Sequence, residues 1–202
     1  MSKAVLISIR PKWVEKIANG EKTIEVRKTK PKLDTPFKCY IYCTRDKHLA
    51  FMQNQTDTNL IACMDVDAAI PVGGAIGNGR VVGEFTCDRI YKIDKDSTDF
   101  LFKAGGLSVY KKAAEEKCGL CVAMTDDELH GYLGHYQGYG WHISDLLIYA
   151  QPCELSEFRR ATDPCDSCHE GYTWKCTDCK KFSGDIERPP QSWCYVDDVQ
   201  AK

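Results

Sequence analysis

The run Gly20-Glu21-Lys22-Thr23-Ile24-Glu25-Val26-Arg27 places an ammonium, a carboxylate and a guanidinium in one short stretch of the form G-x-K-T-x-E-x-R. In an extended chain, alternation puts Thr23, Glu25 and Arg27 on one face and Ile24 and Val26 on the other, with Lys22 entering at the start. A lysine beside a carboxylate and an arginine can hold an anion, the guanidinium as a planar fork of donors and the ammonium as a compact charge. The same trio can be tuned for catalysis, with Lys22 as base or nucleophile and Glu25 as acid or base. The spacing equally describes a ladder of ion pairs on a solvated face, which would add little stability.

A second constellation is made of sulfur. Cys165-x2-Cys168 and Cys176-x2-Cys179 form C-x2-C-x7-C-x2-C in a hydrophilic stretch. Each pair can turn two thiolates onto one ion, and four soft sulfurs in a tetrahedron suit a structural Zn²⁺ with no open position. A segment with so few aliphatic residues would take its order from the metal. His169 and Cys194 are reserve ligands. Cys118 and Cys121 form a third C-x2-C without a partner pair, and read as reduced, packed thiols. Cys39, Cys43, Cys63, Cys87 and Cys153 sit in apolar patterns and read as small hydrophobes.

The chain has 202 residues, with 27 Lys and Arg against 29 Asp and Glu, a net charge of -2. That balance excludes a generic, globally basic nucleic-acid binder. It conceals an asymmetry: residues 1–48 carry 12 Lys or Arg and 5 Asp or Glu, a balance of +7, leaving -9 for the remainder. Lys12, Lys16, Lys28, Lys30, Lys32 and Lys38 therefore surround the Lys22–Arg27 run in sequence. Such a patch can hold phosphates while Trp13, Tyr40, Tyr42 or Trp141 offers a stacking face, although Trp13 and Trp141 also fit a packed core. His142, adjacent to Trp141, points to the opposite face of its strand, so burial of one turns the other outward. No signal-peptide pattern or span of about 20 apolar residues is present, and with the grouped cysteines this predicts a reducing, cytoplasmic setting.

The elements that must position these groups follow from pattern. Val5, Ile7 and Ile9 alternate as a strand; Pro11 is suited to a first helical position; Trp13, Val14 and Ile17 make an apolar stripe; Asn19-Gly20 stops the helix. Residues 37–43 alternate again. Residues 46–79 read as a long insertion loop with at most a helical turn, ending in the Asn78-Gly79 turn. A strand is expected over 80–93 with Val82 and Phe85 in the core, and a helix near 108–117. Thr125 and Glu128 have capping-box spacing ahead of a helix carrying Leu129 and Leu133. Residues 141–149 and 193–196 read as further strands. Short strands, short helices and glycine turns predict an α+β chain built as a small mixed barrel.

The run Ser8-Ile9-Arg10-Pro11-Lys12-Trp13, then Ile17-x2-Gly20-x-Lys22-Thr23-x-Glu25-x-Arg27-Lys28, resembles the signature of the ASCH domain of the PUA-like superfamily. Tyr40-Ile41-Tyr42, Val82-Gly83-Glu84-Phe85 and Gly140-Trp141-His142-Ile143-Ser144-Asp145-Leu146 extend the resemblance over about residues 4–158. Pro189-Pro190-Gln191-Ser192-Trp193-Cys194 resembles a tail of some bacterial and phage-type members. The resemblance implies a β-barrel of five or six strands with flanking helices, and a cleft beside the first helix that binds RNA or modified nucleosides. Some similar small bacterial proteins hydrolyse an acylated cytidine or cleave RNA, and Lys22 matches their lysine, whereas Glu25 stands where they have threonine.

These readings divide the chain into a PUA-like barrel over 1–158, a zinc knuckle over 159–188, and a C-terminal strand and tail over 189–202. The expected function is recognition of an unpaired or modified base of RNA, or a nucleotide-like small molecule, by Trp13, Lys22, Thr23, Glu25, Arg27, Trp141 and His142. A hydrolase using Lys22 and Glu25 in the same cleft, and a protein-interaction adaptor, are the alternatives.

Overall fold

The computed structural model of the chain describes residues 2–54, 61–68, 74–93, 102–104, 107–109, 122–134, 137–161 and 184–199. The chain opens with β1 (Lys3–Ile9), α1 (Pro11–Ala18), β2 (Ile24–Arg27) and β3 (Phe37–Cys43). Next come β4 (Leu49–Asn54), β5 (Ile61–Asp65), β6 (Gly74–Ile76), β7 (Val81–Cys87), β8 (Ile90–Ile93), β9 (Phe102–Ala104) and β10 (Leu107–Val109). The remainder is α2 (Asp126–Leu133), β11 (Gly138–His142), β12 (Ser144–Cys153), β13 (Arg159–Arg160), β14 (Gly184–Asp185) and β15 (Trp193–Asp197).

Helix α1 forms where expected. Pro11 fills the first helical position, where the missing N–H costs nothing, and Pro11, Val14 and Ile17 are buried. Asn19 ends the helix and Gly20 turns the chain at φ 76°, a left-handed conformation that glycine adopts without strain. In α2, Thr125 Oγ1 accepts from the Glu128 backbone N–H and Glu128 accepts from that of Thr125, the reciprocal cap anticipated from their spacing.

The strands form three sheets: a seven-stranded sheet ordered β12-β7-β3-β1-β15-β13-β14, a five-stranded sheet ordered β10-β9-β8-β11-β2, and a three-stranded sheet ordered β5-β4-β6. The α+β class holds, but among the described residues these sheets are not joined into a closed barrel. The chain instead crosses between the two larger sheets at two corners. What reads in sequence as one strand over 80–93 breaks at Asp88-Arg89 into β7 and β8, and the run 141–149 breaks at Ile143 between β11 and β12. Asp145 at φ 46° and a register shift between Ser144 and Leu147 make the second corner.

The described residues of the range 46–79 form strands where a loop was expected. Leu49-Ala50-Phe51-Met52 and Ile61-Ala62-Cys63-Met64 pair antiparallel from Leu49↔Asp65 to Gln53↔Ile61, and β6 completes the sheet. The first of these lacks periodicity because Ala50, Phe51 and Met52 are all buried, which removes the alternation a half-buried strand would show. Within the segment expected to be helical, Leu107–Val109 is strand β10, and residues 110–117 lie outside the described residues.

Val5, Ile7, Ile9, Ile41, Phe85 and Trp141 fill the core between the large sheets, against Val14 and Ile17 of α1. Ala4, Leu6, Tyr40, Tyr42 and Val196 form a second cluster on the other face of β1 and β3. Ile24 and Val26 pack with Tyr91, Ile93, Leu129 and Leu133, so α2 covers the outer face of the five-stranded sheet.

Candidate functional site

That covering by α2 decides where the polar face of β2 goes. With Ile24 and Val26 turned to α2, Glu25 and Arg27 turn inward, and the register Glu25↔Trp141 and Arg27↔Tyr139 puts all four side chains on one sheet face. Lys22, Glu25 and Arg27 are only 2%, 6% and 6% exposed, so they are a buried cluster rather than a solvated ladder. Arg27 Nη2 lies 2.9 Å from Glu25 Oε1, and Lys22 Nζ lies 3.5 Å from Glu25 Oε2. Arg27 also donates to the Ser8 carbonyl oxygen at 2.6 Å, and Lys22 to that of Val122 at 2.6 Å. Arg27 Nε is a buried donor with no acceptor among the described residues, which leaves the guanidinium one N–H able to bond a ligand.

These three residues lie at a cavity of about 770 Å³. One wall is the end of β1 with Trp13 of α1, another is the Glu128–Tyr132 face of α2, and the third is Pro189-Pro190-Gln191. The last segment is held because Ser8 Oγ donates to the Pro190 carbonyl oxygen at 2.6 Å and the Ser8 N–H to that of Ser192 at 2.9 Å. The cavity lining carries Arg10, Lys22 and Arg27 against Glu25 and Glu128, an excess of one positive charge.

At the mouth, Lys12 on α1 reaches Glu128 on α2 at 2.7 Å, and its ammonium lies 4.6 Å from the centroid of the Trp13 ring. Lys22 Nζ lies 5.3 Å from that centroid. On the far side, Lys28 Nζ lies 5.7 Å from the centroid of Tyr132. The Lys12 hydrogen bond, followed by the Thr125 N–H, holds the Glu128 carboxyl below its ordinary range.

The structure therefore brings together Trp13, Lys22, Glu25 and Arg27 of the residues read from sequence. It does not bring the others. Trp141 is fully buried, edge-on to Phe37 and Trp193 at 5.9 Å each, so it is core and offers no stacking face to a ligand. His142 pairs in register with Ile24 on the outer face, where Nδ1 meets Asp88 Oδ1 at 2.6 Å. Thr23 stands beyond the cavity lining, with its carbonyl oxygen accepting from Ile143 N–H at 2.9 Å. Tyr40 and Tyr42 are buried on the opposite face of β3, and Lys38 there pairs with Glu84 and Asp198 at 3.3 and 3.4 Å.

Sequence reasoning missed Ser8, Glu128, Gly131 and Tyr132 as cavity residues. The capping box located α2 but not the surface it covers, and only the tail motif of the resemblance, Pro189–Cys194, hinted at Pro189–Gln191. Cys165, Cys168, Cys176 and Cys179, with His169, Cys118 and Cys121, lie outside the described residues. Among the described residues no group of three or more His, Cys, Asp or Glu could hold a metal ion. Cys39, Cys43, Cys87 and Cys194 are free and buried, and Cys63 and Cys153 free and half-buried. No described helix is long and apolar enough to cross a membrane.

Fold and site together describe an α+β protein with a polar, aromatic-walled cavity beside its first helix. Its structure is similar to crystal structures of ASCH from Zymomonas mobilis. A Tyr-to-Phe mutant of that protein is 15% identical, with 96% of this chain and 90% of that chain covered and a TM-score of 0.48. ASCH itself is 15% identical, with 95% and 86% covered and a TM-score of 0.43. No protein-family model matches the chain, and no curated protein does.

Proposed function

We propose that this chain is an ASCH-type, PUA-like module that binds RNA or a nucleotide-like small molecule by taking an unpaired or modified base into the cavity. The observation that carries the reading is the buried Lys22–Glu25–Arg27 cluster beside a 770 Å³ cavity walled by Trp13 and Tyr132. Buried charges persist where their geometry is satisfied or where a ligand completes it. Here two cations share one carboxylate and Arg27 Nε meets no acceptor among the described residues, so a ligand oxygen can complete the guanidinium, while a planar base gains a stacking surface on Trp13. Glu25 Oε atoms in turn can accept from a base amino edge.

The test is a fluorescence titration with short single-stranded RNAs at two salt concentrations. Saturable quenching that weakens at least about tenfold in Arg27→Lys, which keeps the charge but loses the planar fork, supports the reading. No binding, or binding indifferent to Arg27→Lys and Lys22→Met in variants that remain folded, overturns it.

The proximity of Lys22 Nζ to Glu25 Oε2 at 3.5 Å favours a second reading, hydrolysis of an acylated cytidine in the same cavity. Incubation with acylated cytidines separates the two, because a binder saturates without releasing product. We propose further that Cys165, Cys168, Cys176 and Cys179 hold one structural Zn²⁺.

A further inference from the structure

Gly131 is the sixth residue of the eight in α2, where glycine weakens a helix relative to alanine. Among the described residues no packing contact requires it. A Cβ built on Gly131 meets no atom within 4 Å, whereas one on Gly138 would lie 2.7 Å from Leu133 Cδ2 and one on Gly83 2.4 Å from the Leu147 carbonyl oxygen. Those two glycines are demanded by packing; Gly131 instead leaves bare helix backbone along the cavity. One turn earlier on the same helix, Glu128 is bridged to Lys12, and Lys12 lies against the Trp13 ring. The bridge brings the indole of α1 and the Gly131 stretch of α2 to the same mouth.

We infer that Gly131 sets the size of the ring the cavity admits: a purine stacked on Trp13 occupies the space that a side chain at position 131 would fill. The inference rests on the reading of the cavity as a base site and deepens it, naming purine-bearing single strands as the preferred ligand. Stacking of a base on an aromatic side chain is sequence-tolerant, so preference arises from the other walls around the stack, and between Glu128 and Tyr132 the α2 wall carries no side chain at Gly131. Lys12 and Lys22 lie over the Trp13 ring, 4.6 and 5.3 Å from its centroid; a stacked purine takes that place, and the displaced ammonium groups donate to its ring nitrogens or to phosphate oxygens.

The experiment compares short oligoadenylate and oligouridylate RNAs on the wild-type chain, Gly131→Ala and Gly131→Leu, with thermal melts of each protein. Wild type binds oligoadenylate more tightly; Gly131→Leu loses about tenfold for oligoadenylate and changes little for oligouridylate. Gly131→Ala loses less, yet melts at or above the wild-type temperature, which shows that the loss is steric and not a folding defect. Equal losses for both RNAs, or no loss in either variant, overturn the inference while Arg27-dependent binding leaves the base-site reading standing. Absence of RNA binding by wild type overturns both.

Discussion

Arg27 Nη2 donates to the carbonyl oxygen of Ser8 at 2.6 Å, tying the polar face of β2 to the end of β1 just before α1 begins. Ser8 in turn grips the Pro190 segment through its hydroxyl. One strand end therefore organises the cavity's floor and one of its walls.

Glu25 pairs with two buried cations at once, so Glu25→Ala removes the carboxylate that Lys22 and Arg27 share. Breaking a buried ionic group this way costs about 3–5 kcal/mol, read as a fall in the urea midpoint at constant m. The combined variant Lys22→Met, Glu25→Leu, Arg27→Met regains most of that stability because no buried charge remains, and binds no RNA.

The two tryptophans separate core from site. Trp141→Ala empties a fully buried position and lowers stability by about 3–5 kcal/mol. Trp13 is half-buried at the cavity, and Trp13→Ala weakens ligand binding by about 1–3 kcal/mol, measured by titration against a labelled RNA.

Asp198 gives an acid limb to the stability curve. Burial alone would raise its carboxyl, but hydrogen bonds from Tyr40 and Ser2 and the Lys38 ammonium outweigh burial and hold it below its ordinary range. A carboxyl depressed in the folded state contributes stability above its unfolded pKa of about 3.9 and loses it as pH falls through the lower folded value. Asp198→Asn is thus less stable than wild type at pH 7 by roughly 1–2 kcal/mol, and denaturation below about pH 3 shows the two converging.

Burial, as the first cause, pushes the thiols of Cys63 and Cys87 up to about 12 and that of Cys39 well above its ordinary value. Iodoacetamide at pH 8 leaves Cys39 and Cys87 unmodified in the native protein, as mass spectrometry of the digest reads out. The half-buried Cys63 reacts slowly, about tenfold faster per pH unit, because only the thiolate attacks.

Zinc is expected at one ion per chain by elemental analysis. Cys165→Ser with Cys168→Ser removes it, and retention of the ion by that double variant excludes the four-cysteine site.

Local chemistry was legible in the residues themselves. Pro11 and Asn19-Gly20 bounded α1, Thr125 and Glu128 capped α2, and period two in Thr23–Arg27 separated Ile24 and Val26 from Glu25 and Arg27. Each depends on neighbours within four positions, which a sequence displays directly. The side of a strand that faces inward depends on what packs against it, and that partner lies about a hundred residues away. Leu129 and Leu133 cover Ile24 and Val26, so the charged face became the interior one, Trp141 joined the core beside it, and His142 turned outward to Asp88. Strand β4 within 46–79 was hidden for a related reason: burial of Ala50, Phe51 and Met52 on both faces erased its alternation, and its pairing with β5 and β6 is set by distant segments. Which residues carry charge and where short elements start and stop follow from neighbours along the chain; that Lys22, Glu25 and Arg27 meet Trp13, Gly131 and Pro190 around one cavity follows from packing between segments far apart in it.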